Sequence, residues 1–241
     1  MGRRGYALAV AALVLGISSA AHGATIWVEI GDAGSLPGTA QNTTGSAPLS
    51  SITGTLTATD EDMYLISITN AATFSATTVG GTAVDTQLFL FDSFGFGVYA
   101  NDDSVGVQST LPAGNVNSPT TAGLYYLAIS EFNNDPVSPG GLIFPSTPFG
   151  TVHGPTGPGG GQAVSGWTSD SGGGGAYSIQ LTGAAPANVP EPISLLLLGT
   201  GGLGLIAKAR RRKRQVLLSG SVQHQLQGAL VVLVARLFPE L

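Results

Sequence analysis

The sequence predicts an all-β fold, an antiparallel β-sandwich, with an N-terminal signal helix before it and a C-terminal transmembrane helix after it. Two observations predict the sandwich. Between residues 24 and 189 apolar residues alternate in short runs, and Gly, Pro, Asn, Asp and Ser separate the runs. No helical period occurs in that segment, and several short strands without helices bury their apolar faces as two packed sheets. A third observation predicts the flanking helices: the uncharged apolar stretches gather at the two ends of the chain.

The elements follow in order. Residues 1–23 carry Arg3 and Arg4, an apolar stretch over 6–17 and then small residues, the layout of a secretory signal peptide. Ala21 and Gly23 suit a cut before Ala24; a cut after Ala21 and an uncleaved anchor are the alternatives. Residues 24–51 are an N-terminal strand, at 26–30, and a linker, since 31–50 are rich in Gly, Ser, Thr and Pro. Residues 62–69 set Tyr64, Ile66 and Ile68 on one face, and 72–78 follow as their partner across a turn at Asn70-Ala71. Residues 86–92 include Leu88-Phe89-Leu90-Phe91, a run fit for a strand buried on both faces. The chain returns over 94–100 after a turn at Ser93. Residues 124–130 alternate Tyr125, Leu127 and Ile129, and 176–182 close the series with Tyr177, Ile179 and Leu181 inward. One domain is enough to bury this core.

Residues 133–175 break the rhythm with six prolines and two glycine runs. A loop this long inside a compact domain is a mobile excursion or a binding loop, and mobility is the preferred reading. Trp167 within it either packs down, the commoner outcome, or meets a ligand.

Charge divides the chain. The nine Lys and Arg are Arg3, Arg4, Lys208, Arg210, Arg211, Arg212, Lys213, Arg214 and Arg236, so none lies between 24 and 189. That segment holds twelve of the fourteen acids, about −12 with no internal cation. Nucleic acid is excluded as its partner, because phosphate binding needs Lys or Arg. No Lys or Arg salt bridge can form inside it. Its carboxylates must be solvated, hydrogen-bonded or bound to cations. There is no cysteine, so disulfides, thiol catalysis and cysteine-type zinc sites are absent. Catalysis is not expected. The exported part has one histidine, His153, and no Gly-x-Ser-x-Gly elbow. Paired carboxylates of the glycosidase kind remain the one enzymatic alternative, a secreted hydrolase.

The tail is the most informative part. A linker over 184–192 ends in Val189, Pro190, Glu191 and Pro192, stiffened by its prolines. An uncharged helix over 193–209 follows, about 26 Å long against a bilayer core of about 30 Å, and Lys208 can snorkel across the difference. Arg210, Arg211, Arg212, Lys213 and Arg214 then form a basic cluster that stays cytoplasmic. This arrangement resembles the PEP-CTERM sorting signal of bacterial surface proteins. The resemblance implies an exosortase, a membrane-embedded processing enzyme, as partner beside the secretion machinery and the membrane. It implies an inner-membrane-anchored precursor and then a place on the cell surface or in the extracellular matrix. Residues 215–241 are atypical of such a signal, which normally ends soon after the arginines.

A second resemblance is carried by Asp60-Glu61-Asp62-x-Tyr64, by Asp85-Thr86-Gln87-Leu88-Phe89-Leu90-Phe91-Asp92-x-x-Gly95, by Asn101-Asp102-Asp103, by Gly123-Leu124-Tyr125-Tyr126-Leu127-Ala128-Ile129 and by Ala176-Tyr177-Ser178-Ile179. Over 52–183 this succession resembles the bacterial pre-peptidase C-terminal domain, which implies a jelly-roll-like sandwich. The insertion at about 133–175 is longer than that family usually has.

Asp60, Asp62, Asp85, Asp92, Asp102 and Asp103 are oxygen donors near predicted strand ends. Calcium takes six to eight such ligands, and the second resemblance adds that some relatives bind it. The alternative is that Asp ends strands because its side chain makes turns. The expected function is therefore an exported, non-catalytic surface or matrix protein. The alternative is a calcium-assisted module binding extracellular polysaccharide, for which Trp27, Phe94, Phe96, Tyr99 and Trp167 are the candidate stacking aromatics.

Overall fold

The structure, a computed structural model, describes residues 23–169 and 172–188. The signal peptide up to His22, Val189–Pro192, the helix over 193–209, the basic cluster and residues 215–241 lie outside the described residues. Among the described residues there are fourteen strands and no helix. They are β1 Thr25–Val28, β2 Gln41–Asn42, β3 Leu49–Leu56, β4 Glu61–Ile68, β5 Ser75–Thr77, β6 Thr86–Asp92 and β7 Gly97–Asn101. Then come β8 Thr110–Leu111, β9 Gly123–Glu131, β10 Pro136–Ser138, β11 Gly141–Leu142, β12 Gly166–Trp167, β13 Gly175–Thr182 and β14 Ala184–Pro186. One sheet runs β1-β3-β13-β5-β8. A second runs β14-β4-β9-β6-β7, with β2 beside β4. A small third sheet runs β11-β10-β12.

The two larger sheets face each other because their alternate residues are apolar. Tyr64, Ile66 and Ile68 of β4, Leu88 and Leu90 of β6, and Tyr125, Leu127 and Ile129 of β9 supply one side of the core. Ile52 and Leu56 of β3, with Tyr177, Ile179 and Leu181 of β13, supply the other. Two buried polar ties cross this core. The Tyr64 hydroxyl on one sheet lies 2.5 Å from the Tyr177 hydroxyl on the other. Thr78 after β5, Thr86 of β6 and Ser109 before β8 share a buried hydroxyl network, with Thr78 and Thr86 2.7 Å apart.

The segment over 133–175 departs from the expected mobile excursion. It carries β10, β11 and β12, and it folds over the outer face of the second sheet. Ile143, Phe144 and Val164 from this segment bury Met63, Phe89, Phe91 and Ala128 in a second apolar cluster. This cover is why β6 is buried on both faces. Trp167 packs down, its ring 5.4 Å from Phe89 and its Nε1 donating to the Ser35 carbonyl at 2.9 Å. Glycine permits the tight return: a Cβ on Gly160 would lie 1.9 Å from the Pro155 carbonyl oxygen.

Three further expectations are corrected. The sheets are mixed, because β1 pairs with β3 and β2 with β4 in parallel. The supposed linker and loop before residue 52 contains β2 and the start of β3, a strand flanked on both sides by β1 and β13. β3 has large apolar residues only at Leu49, Ile52 and Leu56, so it shows no alternation, and Ser51 lies on the face away from the core, bonded to Ser178 at 2.9 Å. Finally, β5 does not pair with β4. After β4 the Gly183 carbonyl accepts from Thr69 and Asn70, and the chain crosses to the first sheet, where β5 lies between β13 and β8.

Candidate functional site

Strand register gathers the acids at one end of the fold. Thr86 pairs with Glu131, Glu61 with Ser130 and Leu88 with Asn101. Asp85, Asp102, Asp103, Glu61 and Asp62 therefore emerge near one another. Of the six predicted ligands, the structure brings Asp85, Asp102 and Asp103 into one cluster and Asp62 into another with Glu29 and Asp32. The remaining two serve turns. The Asp60 carboxylate accepts from the Thr57 amide at 3.0 Å, and Asp92 accepts from the amides of Phe94 and Phe96 at 2.9 and 3.0 Å.

The first of these clusters along the chain, Glu29, Asp32 and Asp62, sits at a cleft of about 600 Å³ lined by Glu29, Asp32, Gly54, Asp60 and Tyr177. Glu29 is held by two backbone donors, Ala33 at 3.1 Å and Thr55 at 2.9 Å. Asp62 is fully buried, and the Tyr177 hydroxyl donates to its Oδ2 at 2.5 Å. Its Oδ1 has no hydrogen-bond donor among the described residues, and one of its oxygens lies within 4.8 Å of a Glu29 oxygen. Burial, opposed by the Tyr177 bond and reinforced by Glu29 and Asp60, pushes the Asp62 carboxyl up to about 8. Burial also raises both tyrosines. Gly54 makes the close packing possible, since a Cβ there would lie 2.4 Å from the Tyr177 hydroxyl oxygen.

The second cluster has a different character. One oxygen from each of Asp85, Asp102 and Asp103 lies within 4.8 Å of the other two. Asp102 is only 6% exposed, and neither of its oxygens has a hydrogen-bond partner among the described residues. Oδ1 of Asp85 is likewise buried and unpartnered. The Gln87 amide donates to Asp135 at 3.1 Å and is near enough to Asp102 to favour its charged form, but makes no bond of hydrogen-bond geometry to it. Burial, then the charges of Asp103, Asp85 and Asp135, pushes Asp102 up to about 7, with Gln87 opposing. Burial with Asp103 and Glu131 raises Asp85 as well. Asn101 fixes the loop, donating to the Asp103 carbonyl at 3.0 Å and accepting from Thr110 at 2.8 Å.

Two exposed aromatics border this cluster. The Phe132 amide donates to the Asp85 carbonyl at 3.0 Å, and the Asp103 amide donates to the Phe149 carbonyl at 3.1 Å. The Phe132 and Phe149 rings meet edge-on, 5.3 Å apart, and are 41% and 39% exposed. Sequence reasoning missed this pair, because residues 132 and 149 lie in or beside the segment read as mobile. Of the aromatics it did name, Tyr99 is buried, Trp27 is partly buried, Trp167 is packed, and Phe94 and Phe96 are exposed. His153 is held at 3.1 Å to the Pro148 carbonyl.

Fold and site together define a β-rich, acid-lined domain. The comparison with known families speaks to the segment after it: residues 188–213 match the PEP-CTERM protein-sorting motif. No curated protein matches the chain. The motif implies an exported protein that is processed by exosortase, a membrane enzyme, and that is anchored only transiently before release.

Proposed function

We propose that this is an exported, non-catalytic cell-surface or extracellular-matrix protein whose working part is the β-rich domain, released after exosortase-dependent sorting. The sorting motif at 188–213 carries the reading. The signal peptide at 1–23, the span at 193–209 and the basic cluster at 210–214 belong to it, as does the likeness of 52–183 to the pre-peptidase C-terminal domain. The non-catalytic part is supported by the use of the acids: Asp60 and Asp92 hold turns, Glu29 holds two amides, and His153 is tied to a backbone carbonyl. The test is expression in a host that has an exosortase, following mass and membrane fraction with and without Pro190-Glu191-Pro192. The expected mature form loses mass near residue 190 and leaves the membrane only when the motif is intact. Processing that is indifferent to the motif would sink the proposal.

A second reading, a calcium-assisted module for extracellular polysaccharide, is favoured by the Phe132–Phe149 pair beside the second cluster. Sugar rings stack on exposed aromatic faces. Matrix polysaccharide cast into a native gel is expected to retard the wild type, and Phe132→Ala with Phe149→Ala to abolish the retardation. Equal mobility of the two proteins counts against it.

A further inference from the structure

We propose that Asp85, Asp102 and Asp103 bind one divalent cation, and that the cation is calcium. Asp102 is nearly enclosed, its two oxygens lack any donor among the described residues, and two more carboxylates converge on the same space. An unpaired buried carboxylate is costly. No Lys or Arg lies between residues 24 and 189 to compensate it.

A proton is the other possible relief, and the neighbouring cluster shows what that requires. Asp62 has the Tyr177 hydroxyl as donor on one oxygen, and the Glu29 carboxylate lies close by. Asp102 has only the Gln87 amide nearby and no donor in hydrogen-bond geometry, while Asn101 and backbone bonds hold its loop in place.

The donor set selects the ion. It is all oxygen, which disfavours zinc, whose usual ligands include His and Cys. Calcium–oxygen distances of about 2.3–2.6 Å put ligands on opposite sides of the ion roughly 4.6–5.2 Å apart. Three oxygens mutually within 4.8 Å lie at most about 2.8 Å from a common centre, so a side-chain shift of a few tenths of an ångström brings all three onto one calcium. Magnesium keeps several waters and an octahedral shell, which suits a buried carboxylate poorly. Asp85 and Asp103 are partly exposed and leave a side open to solvent for entry and for water ligands. An exported protein meets calcium at the concentrations that weak extracellular sites need. For its use the site rests on the polysaccharide reading, but calcium bound without glycan retention would sink only that reading.

The full-length chain, purified in detergent and stripped with EDTA, would be titrated with calcium chloride alone by calorimetry and followed by thermal melting. One saturable site with Kd on the order of 10⁻⁴–10⁻³ M is expected, together with a rise in Tm, since a ligand of the native state stabilises it. Asp102→Asn and Asp103→Asn should each weaken binding roughly tenfold or more. Asp102→Asn should also raise the calcium-free Tm, because it removes the repelled charge. Asp103→Asn, at a partly exposed position, carries the test if Asp102→Asn does not fold. Asp62→Asn should keep the full calcium response. No calcium-dependent heat or melting shift, or a response that survives Asp103→Asn and is lost in Asp62→Asn, overturns the site. An equal response to magnesium overturns the choice of ion.

Discussion

Asp62 shows how one residue couples this domain to pH. Tyr177 bonds one oxygen of its carboxyl, while Glu29 and Asp60 press on it with like charge, and burial does the most to keep it protonated up to about 8. Unfolded, it would titrate near 3.8. The folded state therefore binds the proton more tightly. The associated stability is complete below about 3.8 and is lost as pH rises through about 8. Glu61, Asp85, Asp102 and Asp135 are raised too and add the same sign. In EDTA, urea unfolding is expected to show stability falling from pH about 4 to about 8, by up to about 1.4 kcal/mol per unit for each such group. Asp62→Asn should flatten part of the slope. A wild type equally stable across that range would contradict this. The sequence made these acids visible as oxygen donors. It could not separate Asp62 and Asp102, which are buried, from Asp60 and Asp92, which hold turns, because that difference is set by partners distant in the chain.

At the scale of elements, the strands that alternate were legible. β4, β6, β9 and β13 lie close to their predicted positions because each carries large apolar residues at period two or in an unbroken run. β3 was not legible, since Gly54 occupies the inner position between Ile52 and Leu56, and its fit depends on Tyr177 of β13. The cover over 133–175 was not legible either. Its order comes from Ile143, Phe144 and Val164 docking on Phe89 and Phe91, and from glycines that let backbone meet backbone. Local composition carries neither fact. The cover makes a prediction of its own. Gly160→Ala should cost about 1–3 kcal/mol in urea unfolding through overpacking, because its Cβ would meet the Pro155 carbonyl. Gly161→Ala, with nothing within 4 Å of its Cβ, should be close to neutral. Equal stability of the two variants would mean that the cover is not tightly packed.

At the scale of the whole molecule, sequence and structure answer different questions. The sorting motif at 188–213 tells how the protein is delivered. It was fully legible because a proline-framed acid, an apolar stretch and a basic cluster need no tertiary context to be read. What the delivered domain does depends on which acids converge, and only the folded chain brings Asp85 and Asp102 together. The absence of Lys and Arg between 24 and 189 links the two. A domain with no cation of its own leaves its surroundings to provide one, and export changes those surroundings.

The loop over 43–48 holds both ends of the domain. The Thr25 amide bonds to the Pro48 carbonyl, the Asn188 amide to the Thr43 carbonyl, and the Asn188 side chain to both backbone groups of Gly45. Gln41 and Asn42, just before the loop, pair with Tyr64 and Leu65, whereas Asp85 and Asp102 lie level with the Glu61 end of β4. At 3.2–3.4 Å per residue, the exit point at Asn188 and the acidic end are separated by roughly 15 Å of strand. Both ends of the described domain thus leave it from one clasp, well away from Asp85 and Asp102.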